Sequence, residues 1–251
     1  MKSRGPYLIT FAAIGLIWQT AALILGPGLL PTPFTVLKSL GAEAATAEFW
    51  LHTGVSFGRA VGGITLGFAA AFPLGLWLGS SPRIDKWLAP FLFLTYPIPK
   101  ILFLPVLLVM LGLGEAPKII LIALTCGYQI LLVTRDSLRN LAPSYLLSFR
   151  AIGSGNKKGQ ALNLARHVLA PAALPAAVSA LRLVTGTAVA VLFMAESFAT
   201  DLGLGFMIME AWGGLDLPRM FSGILTMSLM GLLLYGLIDL LERRSCRWVH
   251  G

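Results

Sequence analysis

Between Gly153 and Gly159 the chain reads Gly-Ser-Gly-Asn-Lys-Lys-Gly, a composition that could cradle a phosphate. A phosphate loop needs G-x-x-x-x-G-K-[ST], with glycines that bare backbone N–H groups and a lysine and hydroxyl that complete the site. Counting from Gly153 puts Lys158 where the second glycine belongs, and counting from Gly155 puts Gln160 there, so neither frame fits. His52, His167 and His250 fit no metal-ligand spacing, and no metal or other cofactor is expected. Ser154 between two glycines lacks the nucleophile-elbow pattern and reads as a turn residue. No convergent catalytic set emerges. What remains is a small group of ionisable residues inside apolar runs: Lys100, Arg182 and Glu196. Such residues are functional by default, because a charge in hydrocarbon is costly.

The elements that position them are membrane spans. The chain is 57% hydrophobic and only 12% charged, with mean hydropathy +0.81, whereas a soluble domain carries about 25% charged residues. Net charge is +8, but the basic residues lie between apolar stretches and form no continuous face, which argues against nucleic acid. Cys126 and Cys246 suggest neither a disulfide framework nor a zinc site. A span needs about 20 apolar residues. Six segments qualify, at about 7–26, 56–79, 88–112, 117–134, 172–198 and 219–241. The first is too long for a signal core and lacks a small-x-small cleavage site, so it reads as a retained span. Gly58/Gly62 and Gly63/Gly67 form GxxxG pairs that point to close helix packing within the chain. Residues 27–55 read as a turn followed by short surface helices, and 200–218 as a re-entrant or surface turn.

With both termini cytoplasmic, the inner segments hold 13 of the 19 basic residues, among them Arg83, Lys86, Arg135, Arg139, Lys157, Lys158, Arg243, Arg244 and Arg247. The positive-inside rule selects that orientation. It puts the long segment 135–171 in the cytoplasm, and long loops in compact proteins are commonly functional. Its later part, from Gly159, has apolar residues at helical spacing with Asn163, Arg166 and His167 opposite. Both a solvated basic loop and a docking segment fit it. Pro171 and Pro175 are placed in the first turns of the fifth span, where proline is tolerated.

Residues 143–175 resemble the cytoplasmic coupling segment of binding-protein-dependent ABC importer permeases. Pro143 fits the preceding turn, Gly153 the motif glycine, and Pro171–Pro175 (PAALP) the closing element. LPTPFTVLKSL at 30–40, YPIPKILFLPVLLVMLGLGEAPKIILIAL at 96–124 and LRLVTGTAVAVLFMAESFATDLGLGFMI at 181–208 resemble the nitrate, sulfonate and taurine branch. The resemblance covers nearly the whole chain. Two features depart from the pattern. The Glu-Ala-Ala positions read Leu147, Ser148 and Phe149, and the stretch from Gly153 to Pro171 is about five residues longer than the motif has, with SGNKK as the insertion and Gly159 as an alternative motif glycine.

The resemblance implies an all-α, six-span type I importer permease forming one transmembrane domain over 1–251, in a bacterial inner membrane. It implies two separate ATPase subunits, an external solute-binding protein that is periplasmic or lipid-anchored, a second permease copy (identical or homologous), and contact with membrane lipid. Hydrolysis would occur on the ATPase, so this chain would not be an enzyme. Ser148, Phe149, Arg150, Ala151, Gly153 and Gly159 would couple to the ATPase. Tyr96, Pro97, Pro99 and Lys100 break the third span; they would line the solute path, with Lys100 suited to an anion such as a sulfonate or nitrate, the alternative being a packing kink with Lys100 snorkelling or paired. Arg182 and Glu196 are candidate path or gate residues, the alternative being structural pairing. Fourteen residues of helix separate them by about 21 Å, so they cannot pair with each other. Asp239 has the (i, i+4) spacing to pair with Arg243. A secondary transporter driven by an ion gradient is the competing class, although the inverted repeat common in that class is absent from the pattern.

Overall fold

The computed structural model describes residues 5–141, 162–198 and 200–250, and every regular element among them is helical. These are α1 (Gly5–Leu25), α2 (Pro33–Glu43), α3 (Ala47–Ser80), α4 (Pro82–Thr95), α5 (Leu104–Leu111), α6 (Glu115–Arg139), α7 (Ala170–Glu196), α8 (Leu204–Gly213), α9 (Leu217–Ser245) and α10 (Arg247–His250). A 3-10 turn, Lys100–Phe103, leads into α5, and a π turn, Ala165–Leu169, leads into α7.

Five helices among the described residues are long and apolar enough to cross a membrane: Leu8–Leu25, α3, α6, Leu162–Glu196 and α9. α4 and Lys100–Leu111, bent by 89° at the break between them, together pass the same test and make a sixth candidate. Large apolar side chains face outward along them, such as Phe11, Trp87 and Val109 at 82%, 83% and 88% exposure. A soluble monomer does not present such a surface, and a bilayer covers it.

The sequence reading shifts in four places. Residues 47–55 are not separate surface helices. They are the first turns of α3, whose 34 residues rise about 51 Å and overshoot the hydrocarbon core. Thr46 starts this helix by accepting the Phe49 N–H at 3.2 Å. The stretch 200–218 contains a true helix, α8. The fourth span runs on to Arg139, so Arg135 and Arg139 belong to helix and not to loop. Helical residues begin at Leu162, which puts Pro171 and Pro175 well inside the fifth span. A proline ring crowds the carbonyl four residues earlier. The π turn at Ala165–Leu169 widens the helix where Pro171 would otherwise meet the His167 carbonyl.

The chain divides into two compact units. The first comprises Met1–Phe57 and Glu196–Met230, with Val36, Phe49, Leu204, Met207 and Ile208 in its core. Within it Thr32 caps α2 by accepting the Thr35 N–H, with Pro33 in the first turn. The second comprises Gly58–Ala195 and Gly231–Gly251. Here α3 and α6 cross on small residues. A Cβ on Gly67 would lie 2.8 Å from the Ala123 carbonyl oxygen, and one on Gly79 would lie 2.8 Å from that of Arg135. Gly63 and Gly75 press on Ile122 and Thr134 in the same way. The Gly63/Gly67 pair therefore packs within the chain, as expected. Gly58 has nothing within 4 Å.

Candidate functional site

The break in the third span is built by two prolines and closed by one lysine. Pro99 has no N–H to offer the Thr95 carbonyl, which would otherwise be its helical partner. Lys100 Nζ donates to that carbonyl at 2.6 Å, and to those of Tyr96 at 3.1 Å and Ile98 at 2.9 Å. Backbone freed at membrane depth must find such partners. The ammonium also lies 4.2 Å from the centroid of the Tyr128 ring, within cation–π range. Tyr128, on α6, donates to the Leu92 carbonyl and shares a 2.5 Å hydrogen bond with the Thr95 hydroxyl. The break is thus fastened to α6. Tyr96, Pro97 and Pro99 are exposed, and the Tyr96 ring lies 6.1 Å from that of Tyr128.

Arg182 meets its charges on α9. Its Nη1 lies 2.9 Å from Asp239 Oδ1 and 3.1 Å from Glu242 Oε2. Ser179 donates to Glu242 Oε1 at 2.7 Å. Asp239 also pairs with Arg243 at 2.9 Å, the (i, i+4) contact expected from spacing.

Glu196 is 1% exposed, and its carboxylate closes the start of α8. Gly205 N–H donates to Oε2 at 2.9 Å, and the Ser56 hydroxyl lies 2.8 Å from both oxygens. Ser56 in turn accepts the Leu204 N–H at 2.7 Å, and His52 Nδ1 accepts that of Gly203 at 3.0 Å. An anion at a helix N-terminus satisfies the orphan donors and the dipole together. Gly203 sits at φ +123°, which only glycine adopts without strain. Arg182 and Glu196 do not meet, in keeping with their separation along the helix.

A third constellation went unseen in the sequence. Asp85, 3% exposed, is gripped by the Arg135 guanidinium through Nε and Nη2 and by Arg139 Nη1. Arg135 also reaches Asp136 at 2.7 Å and lies over the Phe93 ring at 5.4 Å. The (i, i+4) pair Arg135/Arg139 carries this signal, but counted as loop charges the two arginines gave no hint of a buried partner. Beside them is a cleft of about 400 Å³ whose lining includes Pro82, Asp85, Arg139, Leu141, Leu164 and Leu169. Leu141 and Leu164 flank segment 142–161. Ser148, Phe149, Arg150, Ala151, Gly153 and Gly159 lie outside the described residues. At the other end of α6, Arg59, 2% exposed, grips Glu115 through two hydrogen bonds of 2.5 and 2.6 Å. No group of metal-binding side chains occurs among the described residues. Both cysteines are free and buried, and burial beside Glu242 pushes the Cys246 thiol pKa up.

Long apolar helices, a proline-broken segment whose carbonyls are met by its own lysine, and buried charges neutralised within the chain define a multi-pass membrane protein. Residues 63–245 match the family described as binding-protein-dependent transport system inner membrane component, and the chain belongs to that family. It is an ABC transporter permease, a transport component and not an enzyme. It is 28% identical to the taurine transport system permease protein TauC of Escherichia coli (strain K12), over 96% of this chain and 88% of that one. It is 31% identical to the riboflavin transport system permease protein RibX of Chloroflexus aurantiacus, over 96% and 88%. A Bacillus subtilis (strain 168) protein provisionally described as the aliphatic sulfonates transport permease SsuC is 29% identical over 96% and 86%. Among solved structures, the MetNI methionine ABC transporter in inward-facing conformations shares the fold. Its TM-score is 0.64 at 18% identity, covering 78% of this chain and 96% of that one.

Proposed function

We propose that the chain lines, with a second permease subunit, the path of an ATP-driven importer in a bacterial inner membrane, with both termini cytoplasmic. Separate ATPase subunits supply the energy, and an external binding protein delivers the solute. A small anion of the sulfonate class is the favoured cargo, by analogy with the taurine and aliphatic sulfonate relatives.

The observation that carries this reading is the cleft beside the Asp85–Arg135–Arg139 cluster. Leu141 and Leu164, which flank the proposed coupling segment, both line it. Motion of an ATPase seated on segment 142–161 would act at once on the ends of α6 and of the fifth span. Asp85 ties α4 to α6, so the same motion reaches the broken span. In this reading Ser148, Phe149, Arg150, Ala151, Gly153 and Gly159 contact the ATPase. Tyr96, Pro97, Pro99 and Lys100 shape the path at the break. Arg182 and Glu196, whose charges are met within the chain, act on the path by positioning α9 and α8.

Co-purification tests the coupling role. A tagged chain should retain its ATPase subunits, and Gly153→Trp should lose most of them at unchanged membrane yield. Equal recovery of ATPase with the variant would remove Gly153 from the coupling surface.

A further inference from the structure

A second cavity, of about 420 Å³, opens between α3, α7 and α9. Of its lining residues only Thr65 and Ser245 carry a polar side-chain atom. A hydrophilic anion would find two hydroxyls and no charged donor there, a poor lining for a solute path. Along α9 the groove follows Leu234, Leu237, Leu241 and Ser245, one helical stripe. From Leu234 to Ser245 that stripe rises about 16 Å, half of a hydrocarbon core about 30 Å thick. The positive-inside orientation puts this half in the cytoplasmic leaflet.

The stripe ends in charge. Arg244 continues it three residues beyond Leu241, and Arg247 and the exposed Trp248 follow. Arg243 turns to Asp239, but Arg244 and Arg247 form no ion pair among the described residues. Another copy of the chain offers them no carboxylate on this side that is free of an arginine. The carboxylates that the orientation places on this side are Asp85, Asp136, Asp239 and Glu242, and each is already held by an arginine of its own chain. A phosphate headgroup would meet both free guanidinium groups, while a tryptophan at that level suits the membrane interface.

We propose that this groove holds one acyl chain of an anionic phospholipid from the inner leaflet, with its phosphate bound by Arg244 and Arg247. Basic pockets between spans on the cytoplasmic side recognise anionic lipids in this way. Lipid seated there would contact α3, α7 and α9 together.

Native mass spectrometry of the full chain, released from detergent with added lipid, tests the proposal. Phosphatidylglycerol and phosphatidylethanolamine with matched acyl chains serve as probes. One phosphatidylglycerol per chain should survive, favoured by about tenfold over phosphatidylethanolamine, a ratio that two basic side chains near an anionic headgroup can supply. Arg244→Gln with Arg247→Gln should erase the preference. Ala69→Trp, which fills the groove from an exposed position, should lower retention of both lipids. Equal retention of the two lipids by the wild type would overturn the proposal, as would a preference untouched by the arginine changes. Disulfide-linked dimers formed through Leu237→Cys would assign the groove to a second copy and overturn it as well. The readout is bound lipid and not transport, so its failure leaves the permease reading standing.

Discussion

Lys100 has three protons, and the break beside it has three carbonyls within reach. All three contacts are made, so the lysine's first effect is on the shape of the span. Lys100→Met would leave those carbonyls without their donor, a loss of about 1–3 kcal/mol. For a chain of this size that lowers Tm by about 2–10 °C, which scanning fluorimetry of the detergent-solubilised chain would read. An unchanged Tm would assign Lys100 to the solute and not to the backbone. The sequence identified Lys100, Arg182 and Glu196 as charges that need an explanation, because ionisable residues stand out in apolar runs. It did not identify their partners. Ser56, His52 and Tyr128 are polar residues of ordinary type at ordinary positions. Nothing local says that Ser56 meets a carboxylate 140 positions away. Asp85 was hidden for a related reason, since a carboxylate among loop arginines reads as solvated until the helix ends that bury it are known.

At the scale of elements, the crossing of α3 and α6 decides how the second unit packs. Two GxxxG pairs are visible in the sequence, with the same spacing and the same residues, and only the register of α6 separates their roles. Gly67→Ala should destabilise the chain by about 1–3 kcal/mol, because the new methyl meets backbone that cannot retreat. Gly58→Ala, in open space, should instead be neutral or stabilising by up to about 1 kcal/mol, from helix propensity. Thermal or denaturant unfolding of the purified variants checks the contrast, and equal effects would contradict the crossing. The broken third span was legible because prolines at 97 and 99 leave no other choice. The unbroken run of α3 was not, because Glu48, His52 and Thr53 resemble surface polarity. In the structure His52 is buried and spent on the Gly203 N–H at the start of α8. The helical extension back to Leu162 was missed because proline usually marks a helix start, whereas here a π turn lets the helix run past Pro171.

Across the whole molecule the outer surface is as apolar as the core, unlike that of a soluble protein. Apolar side chains face outward, and the buried ions Asp85, Arg59, Arg135 and Glu196 are each met by hydrogen-bonding partners within the chain. Membrane residence and the helical class were legible from composition and periodicity, and the importer family from the resemblance of a few spaced motifs to known permeases. The cargo was not, because recognition in such systems is shared with a binding protein outside this chain. The central claim is that solute movement through this chain is driven by ATP hydrolysed on partner subunits. Its most direct test is taurine uptake into proteoliposomes that hold the chain with its ATPase, supplied with the binding protein outside. Uptake that requires ATP inside the vesicle-equivalent of the cytoplasm, and persists when proton and sodium gradients are collapsed, is the result predicted. Uptake that ignores ATP and follows an imposed proton or sodium gradient would contradict the account.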